Sequence, residues 1–188
     1  MRIGVLALQG AFIEHIDILR RLGVEALPVR LPAELKNLDG LIIPGGESTS
    51  IGKLMRDYEL MGEIKALGEK GLAIFGTCAG MILLASQTPD AEIKPLGLID
   101  IVVRRNAFGR QRESFETEIS IPAVGEKPFP AVFIRAPVIE EANGKVEILA
   151  RLNGSAGVAA REGKILVSAF HPELTDDPRF HRYFLSLV

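Results

Sequence analysis

The chain has a single cysteine, and its surroundings suggest more chemistry than any other segment. Cys78 lies in Gly76-Thr77-Cys78-Ala79-Gly80, between an apolar stretch that reads as a strand and one that reads as a helix. This is the thiol counterpart of a nucleophile elbow. A tight strand-to-helix turn lifts the nucleophile out of the sheet, and glycines two residues to either side keep strand and helix from colliding. The same turn sets the thiol at a helix N-terminus, where the positive end of the dipole favours thiolate. An ordinary thiol, with a pKa of about 8.5, is only a few per cent ionised at neutral pH, so that help matters. The competing reading is a small buried filler, the usual fate of a free cysteine.

A thiol nucleophile needs a base, and the base needs a group to orient it. Of the three histidines, His15 and His181 stand in helical stretches among charged neighbours and are expected at the surface. His171 follows the apolar run 165–170 and opens His171-Pro172-Glu173. In extended chain, residues i and i+2 point to the same side, and Pro172 stiffens the pair, so Glu173 is placed to hold the imidazole. The alternative is a strand-end histidine followed by a capping or solvated glutamate. Joined to the elbow, the pair makes a triad in the chain order Cys78, His171, Glu173.

Residues 43–54 imitate a phosphate-binding loop. Gly46 to Lys53 has five residues between Gly46 and the Gly-Lys pair instead of four, and Leu54 stands where a magnesium-binding hydroxyl would be, so a nucleotide site is rejected. What Pro44-Gly45-Gly46-Glu47-Ser48 offers is backbone that a substrate can approach closely. The N–H groups of Gly45 and Gly46, with that of Ala79, are candidates for an oxyanion hole, where one donor is worth about 10²- to 10³-fold in rate. A plain turn with Ser48 as helix N-cap is the other reading.

The first half of the chain supplies the elements that hold these loops. Apolar runs at 2–8, 24–30, 39–43 and 72–75 read as strands, and helices are expected at 11–22, from Ser48 to a break near 60–62, up to Gly71, and at 81–86. Strands that are apolar throughout, alternating with helices, predict a three-layer α/β fold with a mostly parallel, flavodoxin-like sheet covered on both faces. In such sheets ligands bind beyond the carboxyl ends of the strands, where Gln9-Gly10, the 44–48 loop and the elbow all fall. The second half reads as an antiparallel extension, with β-like stretches at 97–103, 115–121, 131–134, 146–152, 156–161 and 164–169 before a last helix at 178–187. No linker divides the 188 residues, so one domain over 1–188 is expected.

Composition narrows the function. Lys+Arg 22 against Asp+Glu 24 gives a net charge of −2, which offers no electrostatic reason for a nucleic acid or an anionic membrane as main partner. One cysteine makes no internal disulfide and no cysteine-rich metal centre, so neither metal nor cofactor is expected. No apolar run reaches the roughly 18–20 residues of a spanning helix. Met1 to Ala11 lacks a cleavage-site pattern and runs into Glu14, His15 and Asp17, so it reads as a first strand, and a cytoplasmic location is expected.

The assembled motifs resemble a known family. The elbow, the distal His-Pro-Glu and the upstream Pro-Gly-Gly-Glu-Ser loop are similar to class I, or triad, glutamine amidotransferases. Further segments match the glutaminase subunits of pyridoxal 5′-phosphate synthase. They are Leu8-Gln9-Gly10 with Glu14-His15, Gly45 to Thr49, Arg105 to Gln111, Phe133 to Pro137 and Phe170 to Thr175, spanning nearly the whole chain. The resemblance implies hydrolysis of L-glutamine to glutamate and ammonia through a glutamyl thioester on Cys78. It implies substrate contacts at Gly46, Glu47, Ser48, Arg105, Ile134 and Arg135, and a (β/α)8-barrel synthase subunit as the partner that takes the ammonia. Gln9, Gly10 and the first helix would lie near that partner. Taken without the resemblance, Arg105 and Arg135 read as ordinary surface arginines. The rival readings are a glutaminase serving a different synthase, such as the one making imidazole glycerol phosphate, a thiol hydrolase acting on other substrates, and a flavodoxin-like scaffold with an inert cysteine.

Overall fold

Strands that are apolar on both faces must be covered on both faces, and the computed structural model, which describes residues 1–107 and 114–188, has that arrangement. The first half contributes β1 (Arg2–Leu6), α1 (Phe12–Arg21), β2 (Glu25–Val29), β3 (Gly40–Ile43), α2 (Ser48–Asp57), α3 (Leu60–Glu69), β4 (Ala73–Thr77) and α4 (Ala79–Leu84). The second half adds β5 (Ala85–Gln87), β6 (Ile99–Arg104), β7 (Ser114–Ile119), β8 (Phe129–Ile134), β9 (Val138–Ala142), β10 (Glu147–Leu152), β11 (Ala156–Glu162), β12 (Ile165–Ser168) and α5 (Arg179–Leu185). Among the described residues the main sheet has the order β2-β1-β3-β4-β12-β11-β9-β6-β5, with β10 paired to β11. The first five strands in that order run parallel to one another, and β11 and β9 carry the expected antiparallel extension. β7 and β8 form a separate antiparallel pair.

This order brings the site together. β1, β3, β4 and β12 are consecutive neighbours, so the loops leaving their carboxyl ends stand side by side at about 4.8 Å intervals. Every residue of β3, β4 and β12 is buried, the signature of strands sandwiched between helices. Alternation along β4 assigns its faces. Phe75 packs against Phe180 and Phe184 of α5, with ring centroids 5.5 and 5.6 Å away, while Gly76 faces Gly80 and Leu84 of α4.

Several boundaries differ from expectation. The break between α2 and α3 comes at Glu59, which takes a left-handed conformation (φ 59°), slightly before the expected 60–62. β4 runs on to Thr77, and α4 stops at Leu84 because Ala85 turns extended and pairs with Ile99. β5 and β9 were not expected. The Glu140-Glu141 pair in β9 hides a strand that joins β6 to β11.

Candidate active site

The elbow is built as its glycines require. Cys78 has φ 49° and ψ −100°, a strained conformation for a residue with a side chain, between the end of β4 and the first residue of α4. A methyl at Gly76 would come within 2.6 Å of the backbone of Gly80, and one at Gly80 would run into the carbonyl of Ile43. The backbone N–H of Cys78 donates to the Ser168 carbonyl at 2.7 Å, tying the nucleophile to the strand that delivers the base. Its Sγ lies 3.8 Å from the Ile134 carbonyl oxygen.

His171 leaves β12 beside it, and its own N–H is held by the Val132 carbonyl at 2.8 Å. His171 Nδ1 is 2.7 Å from Glu173 Oε1, which turns Nε2 toward the thiol. The expected pairing is present, but not by the expected route. Pro172–Leu174 is a 3₁₀ turn rather than extended chain, and the turn swings the Glu173 carboxylate back under the ring. Burial pulls the His171 pKa down, but hydrogen bonds and charge from Cys78 and Glu173 outweigh it and raise the pKa to about 10. Gly45 lies directly against this imidazole: a methyl there would overlap Cε1 and approach Nδ1 to 2.9 Å.

Cys78 and His171 line a cavity of about 540 Å³, a volume suited to a small metabolite. Its wall also includes Gly10, Gly45, Gly46, Glu47, Ser48, Ala79, Arg105, Ile134 and Arg135, so the site residues named from the sequence converge there, except Gln9 and Glu173. Gln9 stands just outside, where its Oε1 accepts the Glu47 N–H at 2.8 Å and braces the 45–47 loop. The Gly45 carbonyl accepts from Ala11 N–H at 3.0 Å, so in a trans peptide the Gly46 N–H points away from that contact. Ala79 heads α4, where a backbone N–H has no intrahelical acceptor.

The rim is ionic. Glu47, not Ser48, caps α2: its carboxylate accepts from Thr49 N at 3.0 Å, Ser50 N at 2.7 Å and Ser50 Oγ at 2.6 Å. Partial burial raises the Glu47 pKa, but those donors prevail and lower it to about 2. Arg105 Nη2 lies 3.2 Å from Glu47 Oε1, and Nη1 bonds to Asp90, a partner that sequence reading missed. Part of the segment from Arg105 to Gln111 that carried the resemblance, residues 108–111, lies outside the described residues.

His15 and His181 are not surface residues: both are fully buried. The spacing held a signal. Phe12, His15 and Leu19 share one stripe of α1, and Phe180, His181 and Phe184 share one of α5. Among the described residues no group of three or more His, Cys, Asp or Glu is arranged to hold a metal ion, and no helix is long and apolar enough to cross a membrane.

A cysteine elbow, a buried His–Glu pair and a metabolite-sized cavity lie together beyond the carboxyl ends of central strands, and the fold around them is that of a glutamine amidotransferase. The chain belongs to the SNO glutamine amidotransferase family, whose model matches residues 5–188. It is similar to the pyridoxal 5′-phosphate synthase subunit PdxT of Pelotomaculum thermopropionicum, at 57% identity over 185 residues covering 98% of this chain and 94% of that one. The subunit of the same name from Herpetosiphon aurantiacus is 56% identical over 190 residues, covering 100% of both chains. A crystal structure described as a glutamine amidotransferase superposes with a TM-score of 0.93 at 53% identity, covering 98% of this chain and 97% of the other.

Proposed function

We propose that the protein is the glutaminase subunit of a pyridoxal 5′-phosphate synthase, hydrolysing L-glutamine to L-glutamate and ammonia and passing the ammonia to a synthase subunit. The observation that carries this reading is Cys78 and His171 on one wall of the cavity with Glu173 behind the imidazole, in a chain 57% identical to a subunit of that name. Cys78 Sγ attacks the side-chain amide carbon of glutamine. The oxyanion is received by the N–H of Ala79 and those of the Gly45-Gly46 loop, and His171 delivers its Nε2 proton to the departing nitrogen, releasing ammonia. Water, deprotonated by the now neutral His171, then attacks the thioester and frees glutamate. Glu173 keeps the imidazolium oriented and charge-balanced throughout.

Substrate charges are matched at the rim. Arg105 and Arg135 suit the α-carboxylate through a guanidinium fork, and Glu47, ionised at every physiological pH, suits the α-ammonium. Gly46, Ser48 and Ile134 complete the proposed contacts. The partner is read as a (β/α)8-barrel synthase subunit approached through the Gln9-Gly10 corner and α1. One glutaminase unit spans residues 1–188, and the cytoplasm, where a lone thiol stays reduced, is the compartment that suits it. Two measurements test the reading. Glutamate release from glutamine is expected to be low for the isolated chain and to rise when the synthase subunit is added; equal rates defeat the partner assignment. A glutamine-analogue electrophile is expected to label Cys78 in the complex, and absence of labelling there defeats the catalytic one.

A further inference from the structure

Behind Glu173 lies a closed polar chain that the reaction above leaves unused. The Glu173 side chain is fully enclosed, with Oε1 on His171 and Oε2 3.4 Å from His15 Nε2. His15 Nε2 is also 3.2 Å from Thr77 Oγ1, and His15 Nδ1 is 2.9 Å from His181 Nε2. Glu173 Oε2 and His181 Nδ1, at the two ends of this chain, are buried with no hydrogen-bond partner among the described residues, so His15 meets Glu173 at charge-pair distance and not in a formed hydrogen bond. Both rings lie edge-on to Phe75, at 6.0 and 5.9 Å between centroids.

Burial first, then the charges of His181 and His171, hold the His15 pKa well below the usual histidine range. Burial, with Arg21, lowers that of His181 to about 3. Each is therefore a neutral imidazole with one N–H and one lone pair. A carboxylate oxygen offers His15 only lone pairs, so His15 carries its proton on Nε2. Its Nδ1 must then accept, which puts the His181 proton on Nε2 and leaves a bare lone pair on His181 Nδ1. The opposite arrangement would aim a lone pair at a carboxylate.

We propose that His15 and His181 are positioning residues for Glu173, with N–H groups running in one direction from His181 to His15 and the positive end of the His15 N–H set beside Oε2, so that Oε1 stays fixed on His171. The proposal rests on the triad reading. The groups facing His15 are His181 from α5, Thr77 from β4, and Glu173 and His171 from the segment after β12. On α1 itself, Glu14, Asp17, Arg20 and Arg21 line the outer cleft beside Glu173. Without the His15 N–H beside Oε2 the carboxylate is free to turn Oε1 off Nδ1, and an imidazolium that loses its counter-ion has a lower pKa, so loss of the chain lowers the pKa of His171.

The test is the pH dependence of glutamine hydrolysis by the complex with the synthase subunit. His15→Leu is expected to lower kcat by about 10- to 100-fold, the range for a catalytic pair slightly misplaced, with KM within about twofold of wild type. It is also expected to move the basic limb of kcat to lower pH, because the imidazolium is lost sooner as pH rises. His15→Gln, whose amide N–H reaches the same oxygen, should restore most of kcat and the limb, and His181→Phe should shift the limb the same way by less. An unmoved limb in His15→Leu, equal damage in the Leu and Gln variants, or a loss carried by KM overturns the proposal. Should His15→Leu fail to fold, an unmoved limb in His181→Phe overturns it. Nitrogen-15 NMR titration of the His171 ring in the isolated chain reads the same shift without turnover. It therefore separates failure of this proposal from failure of the glutaminase reading, which a wild-type complex releasing no glutamate would signal.

Discussion

In front of His171 the site is rimmed by charges that reach into water, whereas behind it the polar groups are sealed. The side chains of Glu47 and Arg105 are 48% and 27% exposed and satisfy one another, with Asp90 as a third member. Those of Glu173 and His15 have no exposure. The rim is held by exchangeable ion pairs, which in water are worth little and can be traded for the charges of a substrate. The wall is held by buried hydrogen bonds and backbone contacts that nothing else can supply. In the proposed mechanism, chemistry falls to the enclosed part and recognition to the part whose ion pairs can be exchanged.

That contrast is easiest to break at the wall. Cys78→Ala and His171→Ala should each reduce glutamate release by about 10⁴-fold or more, measured in the complex, and only the first should abolish covalent labelling by the electrophile as well. Gly45→Ala adds a single methyl against the imidazole. It should lower kcat by about 10²-fold through misalignment, with KM little changed; near-normal kcat would mean that the wall gives way as easily as the rim. Rim changes should appear in KM. Arg105→Ala is expected to raise KM for glutamine by about 10- to 100-fold with kcat within a few-fold. Asp90→Ala removes a competing carboxylate and should lower KM by about threefold, the size of an exposed pair.

The smallest effects are on stability, and their signs differ. The His171 pKa is raised from 6.5 to about 10, so its contribution is complete below pH 6.5 and is lost as pH rises through 10. Urea unfolding of wild type should therefore weaken over that interval, and His171→Ala should flatten the dependence. The Glu47 pKa is lowered from 4.5 to about 2, so its contribution is present above pH 4.5 and fades as pH falls toward 2. Glu47→Ala should cost about 1 kcal/mol as a lost helix cap, with the difference from wild type shrinking in acid.

Much of the wall was legible because its demands are local. An elbow needs glycines at fixed offsets, and Gly76 and Gly80 stand at them; a fully covered strand needs an unbroken apolar run, and β3 and β4 have one. The rim was harder to read. Glu47 is legible as a site residue, but the plain-turn alternative offers Ser48 as the cap of α2, and the choice between the two turns on a backbone angle. Asp90 was invisible because its contact with Arg105 is made across the fold. His15 and His181 were misjudged by weighing charged neighbours in sequence over the apolar stripes those residues share. The partnership of His171 with Glu173 was expected for a geometric reason that the 3₁₀ turn replaces with another. Composition and spacing describe what one element needs; the misses concern either what a second element supplies, as at Asp90, His15 and His181, or a backbone angle that residue types leave open, as at Glu47 and Pro172.

The adjacency of β4 and β12 has a further consequence, for the chain as it is made. Nucleophile and base are neighbours in space, yet the base lies on the last strand to be synthesised, and the intervening chain folds into the antiparallel extension. A nascent chain carries its cysteine through about half of synthesis, until residue 171 is added, without the histidine proposed to activate it. Only when β12 slots in beside β4 does the thiol acquire that partner. In the proposed mechanism the centre is thus armed by the completion of the sheet, and a chain cut short before His171 would hold the thiol without its base.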